Sequence, residues 1–85
     1  MKKYVGVFAI GGKIFVDYGD GTSPAQFERY LHFRVEHPVT YPKYRNLPTT
    51  KFMSPEIRDI TDCSKEAVVE LVQEMKRKVG QQPIR

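Results

Sequence analysis

Eighty-five residues, 40% hydrophobic and 28% charged, are enough for one globular domain, and no apolar run approaches the roughly 18 to 20 residues that span a bilayer. Fourteen Lys and Arg against ten Asp and Glu leave a formal charge of +4 and a pI near 9.3, a modest excess that attracts acidic surfaces or nucleic acid at long range. The single cysteine, Cys63, excludes an internal disulfide and favours a reducing, cytoplasmic setting, and the basic start at Lys2 and Lys3 is followed by no cleavage signal of a secreted chain.

Residues 3–10 are rich in β-branched and aromatic side chains and run into Gly11-Gly12, a signal for a type I′ or II′ turn. Residues 13–18 return as a second strand, so the chain opens with a β-hairpin. Gly19-Asp20-Gly21-Thr22 closes it with residues suited to turns. Ser23 then precedes Pro24 and stands three residues before Gln26, a capping-box pattern that starts a helix. Two readings compete from there. A helix over residues 24–36 would put Phe27, Leu31 and Val35 on one face but Arg34 within that face and Phe33 outside it. A strand over residues 30–36 alternates without exception, with Leu31, Phe33 and Val35 on one side and His32, Arg34 and Glu36 on the other. The strand is the preferred reading, after at most a short helical turn.

Pro38, Pro42 and Pro48 exclude helix and central-strand pairing through the next segment. Residues 50–53 are expected to form a short fourth strand ended by Ser54-Pro55, and Glu56, Asp59 and Asp62 are read as charges at a helix entry. Asp62 or Ser64 caps a final helix in which Ala67, Val68, Leu71, Val72, Met75 and Val79 recur at three- and four-residue spacing. Lys76, Arg77 and Lys78 complement its negative end, and Gly80 is expected to stop it. The whole, residues 1–85, reads as a single α+β domain: a small antiparallel sheet of three to four strands packed against a C-terminal α-helix.

The alternating residues Leu31, Phe33 and Val35, the turn at Pro38, Tyr41 and Pro42, then Pro48, Phe52 and the final helix resemble the RWD domain, the non-catalytic relative of the ubiquitin-conjugating enzyme fold. The likeness covers the last two thirds of the chain. It departs from the family in having five residues, 43–47, between Tyr-Pro and the next proline where three are usual, and in lacking the family's N-terminal helix. No His-Pro-Asn element precedes Cys63. The resemblance therefore implies a protein-binding module and not a conjugating enzyme.

Constellations that carry chemistry are incomplete. Cys63 sits near a helix start, but Asp62 beside it disfavours thiolate, and His32 and His37 lie elsewhere in the chain. Asp17, Asp20 and Glu28 have the outer spacing of a calcium loop, yet Gly19 and Gly21 occupy ligand positions and Thr22 stands in place of the turn glycine. His32, His37 and Cys63 lack zinc-site spacing, and Gly6, Gly11 and Gly12 lead into a strand and not into a phosphate-binding helix. No metal, cofactor or enzymatic activity is expected.

The segment Tyr41-Pro42-Lys43-Tyr44-Arg45 alternates rings and cations. Such side chains dominate protein interfaces. The leading expectation is a cytoplasmic adaptor or inhibitor, of the kind phages use, that occludes a partner protein's surface through Tyr41, Lys43, Tyr44, Arg45 and Lys51 and a sheet edge. The alternative is a small basic nucleic-acid-binding protein whose strand face Tyr30, His32 and Arg34, with Lys43 and Arg45, tracks a phosphate backbone. An exposed edge strand could also pair with its copy to give a homodimer, and no membrane contact is expected.

Overall fold

In the computed structural model, which describes residues 1–52 and 54–81, strands β1 (Lys2–Ile10) and β2 (Lys13–Gly21) form the expected hairpin, with β2 continuing through Gly19, Asp20 and Gly21, which were expected to turn. Ile10 pairs with Lys13 across Gly11 and Gly12, which have φ of 57° and 85°. Two consecutive residues in the left-handed region make a type I′ turn, which glycine adopts without the steric cost of a Cβ. The third strand, β3 (Glu56–Asp59), pairs antiparallel with the other side of β1, giving the order β2-β1-β3. The architecture is α+β, with an α-helix on each face of the sheet.

The central strand dictates that arrangement. Tyr4, Gly6, Phe8 and Ile10 face one way and Val5, Val7 and Ala9 the other, and all but the half-buried Ala9 are buried. A strand with two apolar faces needs cover on both. Helix α2 (Lys65–Gly80) covers the valine face with Val72, Met75 and Val79, with Val68 and Leu71 at the margin. Ser64 is its N-cap, its hydroxyl accepting from the Ala67 N–H at 3.1 Å. Ala67, expected in the apolar stripe, is exposed. Gly80 is the last helical residue and has no positive φ, so the helix stops without the left-handed glycine the sequence suggested.

The opposite face is covered by helix α1 (Pro24–Glu36), which replaces the strand expected over residues 30–36. Ser23 accepts from the Gln26 N–H at 3.2 Å, while the Gln26 side chain accepts from the Thr22 N–H at 2.7 Å. Pro24 occupies the first turn, where its missing N–H costs nothing. Phe27, Leu31 and Val35 are buried against Tyr4, Phe8 and Ile10. The alternation of residues 31–36 is real, but local pattern yields to the sheet's need for a second covering layer. The alternating strand behind the RWD resemblance is thus helical here.

Two further expectations shift. Residues 50–52 form no strand, and Met53, the last residue of that expected strand, lies outside the described residues. Glu56 and Asp59, read as helix-entry charges, belong to β3. Asp59 accepts from the Thr61 N–H at 2.9 Å and from its hydroxyl at 2.5 Å, shaping the turn into α2. Among the described residues no helix is long and apolar enough to cross a membrane.

Gly6 is where helix and sheet come closest. A Cβ there would stand 2.8 Å from Leu31 Cδ1 and 3.2 Å from Phe27 Cε2, inside contact distance of two fully buried side chains. Gly6→Ala is expected to lower stability by about 1–2 kcal/mol through overpacking, and Leu31→Ala, which vacates the space, to make the same change nearly neutral. Denaturant titration of the two single variants and the double variant measures that coupling; additive losses would refute the close approach.

Candidate functional site

Asp17, at the middle of β2, holds the second half of the chain to the sheet. Its carboxylate receives Arg34 Nη1 of α1 at 3.0 Å and the Tyr18 N–H at 2.9 Å, and accepts a hydrogen bond from the Tyr44 hydroxyl. The same guanidinium reaches the Tyr18 carbonyl at 2.9 Å, and Lys43 Nζ donates to the Val16 carbonyl. Val16 and Tyr18 are alternate residues, so both carbonyls point the same way, off the free side of an edge strand. Arg34 and Lys43 therefore occupy acceptors that a further strand would use, which guards β2 against edge-to-edge pairing. A homodimer through this edge would first have to displace both cations.

Tyr44 is 2% exposed and stacks against Phe8 and Phe15, with ring centroids at 6.1 and 5.4 Å. It was expected to be a partner-binding ring and is a core residue, drawn inward by an apolar ring with one polar end to satisfy. Burial, and after it the hydrogen bond to Asp17, push its hydroxyl well above the ordinary tyrosine range; Arg34 opposes weakly. Arg45 and Lys51 are exposed on the connection that follows, whereas Lys43 spends its charge on the β2 edge.

The expected nucleic-acid face of Tyr30, His32 and Arg34 does not exist, because the strand it needs is helical. Arg34 turns to Asp17, while His32 lies on another side of α1 and stacks on Phe52 at 4.3 Å. The three calcium-loop residues do not converge either: Asp17 is committed to Arg34 and Tyr44. No cluster of three or more metal-ligating side chains occurs among the described residues. Cys63 is exposed and precedes the cap Ser64 without joining it.

The helix brings together residues the sequence left apart. Gln26, Arg29, Tyr30 and Phe33 recur at three- and four-residue spacing on a flank of α1 away from its buried stripe. Tyr41, carried back by the turn after α1, meets the Phe33 ring edge-on at 6.4 Å, and the Arg34 guanidinium lies 5.8 Å from the Tyr41 ring centre. His37 stacks on Phe33 at 4.0 Å and its Nδ1 lies 2.7 Å from the Phe33 carbonyl oxygen. Tyr30, Phe33 and Tyr41, with Gln26 and Arg29, line an open groove of about 530 Å3. Phe33 is 51% exposed and Tyr30 39%. Tyr41 belongs to the expected partner-binding set and Tyr30 to the alternative one; Gln26, Arg29 and Phe33 were missed. Their periodicity was the available signal, and it was hidden by the strand reading.

Comparison with family models, with curated proteins and with solved structures finds no match for this chain. The groove has to be interpreted from its own chemistry.

Two titrations report on the scaffold around it. Because Tyr44 is held protonated in the folded chain, its contribution is complete below about pH 10 and is lost as the pH rises further and the unfolded chain ionises. Tyr44→Phe is expected to cost about 1–2 kcal/mol at neutral pH and to flatten the alkaline decline, as read by urea midpoints between pH 8 and 11. The Thr61 side-chain and backbone donors, helped by Lys2, hold the exposed Asp59 carboxyl below its ordinary range. Its contribution is present above that range and disappears as the pH falls. In an NMR titration Asp59 should protonate below the ordinary carboxylate range, and Thr61→Val, which removes the hydroxyl donor but keeps the backbone one, should move it part of the way back.

Proposed function

We propose that this protein is a non-catalytic binding module, an adaptor or inhibitor, that covers part of a partner protein's surface with the groove of Tyr30, Phe33 and Tyr41. One observation carries this reading: α1 has already buried Phe27, Leu31 and Val35 in the core, and still presents two large rings to solvent beside a third from the following turn. Solvated aromatic clusters of this kind, rimmed by an arginine and an amide, have the composition of interface hot spots. The rings are held by α1 and by the Asp17 network, so little ordering entropy would oppose association. The surface differs from the expected 41–51 segment: Tyr41 is retained, and Tyr44 is replaced by Tyr30 and Phe33. An exposed Cys63 with no pairing cysteine in the sequence suits the reducing conditions of the cytoplasm.

A photo-crosslinking amino acid at position 33 should trap a discrete protein in nuclease-treated lysate at about 0.5 M salt, where surface charge is screened within a few ångströms. The same probe at Val39, which is 88% exposed but outside the groove, should trap none. Tyr30→Ala in the position-33 probe protein should reduce the adduct at least roughly tenfold, the loss expected for a hot-spot ring. Equal trapping at positions 33 and 39, or indifference to Tyr30→Ala, would reject the groove.

A further inference from the structure

In the sequence the basic residues fall into separated clusters, but the fold gathers six of the fourteen Lys and Arg at one end. Helix α2 runs alongside the sheet from the start of β1, where the Ile60 N–H donates to the Lys3 carbonyl at 2.8 Å, to the hairpin turn. There Ile14 Cδ1 lies 3.6 Å from where a Cβ would stand on Gly80. Its last turn thus brings Lys76, Arg77 and Lys78 to the end of the sheet where Lys13 begins β2, Lys13 itself standing opposite Ile10 on the α1 face. The connection after α1 is anchored to the same end, because Pro48 Cγ lies 2.8 Å from where a Cβ would stand on Gly11. Arg45 and Lys51 flank that anchor, and Asn46 between them holds a left-handed φ of 64° that turns the chain there.

Of these six cations all but the half-buried Lys76 are exposed, and none is in an ion pair with a described residue. The opposite end is mixed in sign: Asp59, Asp62 and Glu66 stand there with Lys3, Arg58 and Lys65 and with Lys2, which is paired to Asp59 at 3.8 Å. The hairpin end is therefore the more strongly positive of the two.

We propose that this hairpin end binds the phosphate backbone of a nucleic acid without reading its bases. Cations from three chain segments on one rounded end suit a regularly charged polyanion, whose affinity comes chiefly from counterion release. A protein partner would instead be expected to engage aromatic anchors, and the exposed cluster of these lies in the α1 groove and not here. This site shares no residue with the groove, so either can fail without the other.

The test is fluorescence anisotropy with a labelled duplex of about 20 base pairs, using the intact protein. Binding should weaken roughly 100-fold or more between 50 and 200 mM salt, as expected when about four phosphates are neutralised. Arg77→Ala with Lys78→Ala, and separately Arg45→Ala with Lys51→Ala, should each lower affinity ~10- to 100-fold at 100 mM salt and flatten the salt slope. Lys2→Ala with Lys3→Ala removes the same charge at the other end and should change affinity less than about threefold, since distant charges are screened. Circular dichroism checks that each variant is folded. No binding at 50 mM salt would overturn the proposal, as would equal losses in all three variants. Tighter binding of a poly-glutamate peptide of equal charge would overturn it in favour of an acidic protein partner.

Discussion

Burial of β1 on both faces is the constraint from which the remaining structure follows. A central strand with Tyr4, Phe8 and Ile10 on one side and Val5 and Val7 on the other exposes apolar surface in two directions, and a single helix can cover only one. Helix α2 satisfies the valine face. The aromatic face then needs a second layer, and residues 24–36 supply it as α1, with Gly6 letting the helix approach where any larger residue would hold it off. The sheet's need for cover outweighs the local alternation of residues 31–36, because burying three large side chains is worth several kcal/mol and the difference between competing local conformations far less.

Once α1 lies on the sheet, the polar contacts at its flank become possible. Arg34 falls beside the apolar stripe, close to the β2 edge, and its ion pair with Asp17 lets a charged residue sit within a mostly buried face. Tyr44 closes the same network from the following segment, and Lys43 takes the neighbouring edge carbonyl. The result fixes a proline-rich connection that has little regular hydrogen bonding of its own, and it blunts an edge strand that would otherwise invite pairing. It also determines what stays outside on the α1 flank: with Tyr44 drawn in, Phe33, Tyr30 and part of Tyr41 are left in solvent there.

Two surfaces of different character result, and their separation follows from the topology. The groove belongs to α1 and the turn after it. The basic end belongs to the hairpin turn, the end of α2 and the segment around Pro48. An aromatic surface draws its affinity from desolvated contact area and survives salt, whereas a cationic one draws on counterion release and does not. The proposed roles are thus distinguishable in solution by ionic strength alone.

Much of the fold was legible in the chain. Gly11-Gly12 between two β-rich runs specified the hairpin turn to the residue, since few other sequences tolerate two successive positive φ values, but not the length of β2, which pairs on through Gly21 where Gly19-Asp20-Gly21-Thr22 read as a closing turn. Ser64 and the valine and methionine spacing specified α2. At Ser23, Pro24 and Gln26 the capping signal was equally plain, but its reach was not, because residues 31–36 satisfy both a period of two and, through Leu31 and Val35, a period of four. What decided between them was β1, more than 20 residues away, whose unbroken apolar run asks for cover on both sides. Strand β3 was unreadable for a similar reason: Glu56 to Asp59 carry little β signal and become a strand because β1 has a free side to pair. The candidate groove was invisible for as long as residues 30–36 were read as a strand, since Gln26, Arg29, Tyr30 and Phe33 share a face only at helical pitch. Local chemistry determined the turns and the caps, where one or two residues control the backbone directly; packing against a distant strand decided which face of residues 24–36 was buried and which was left for a partner.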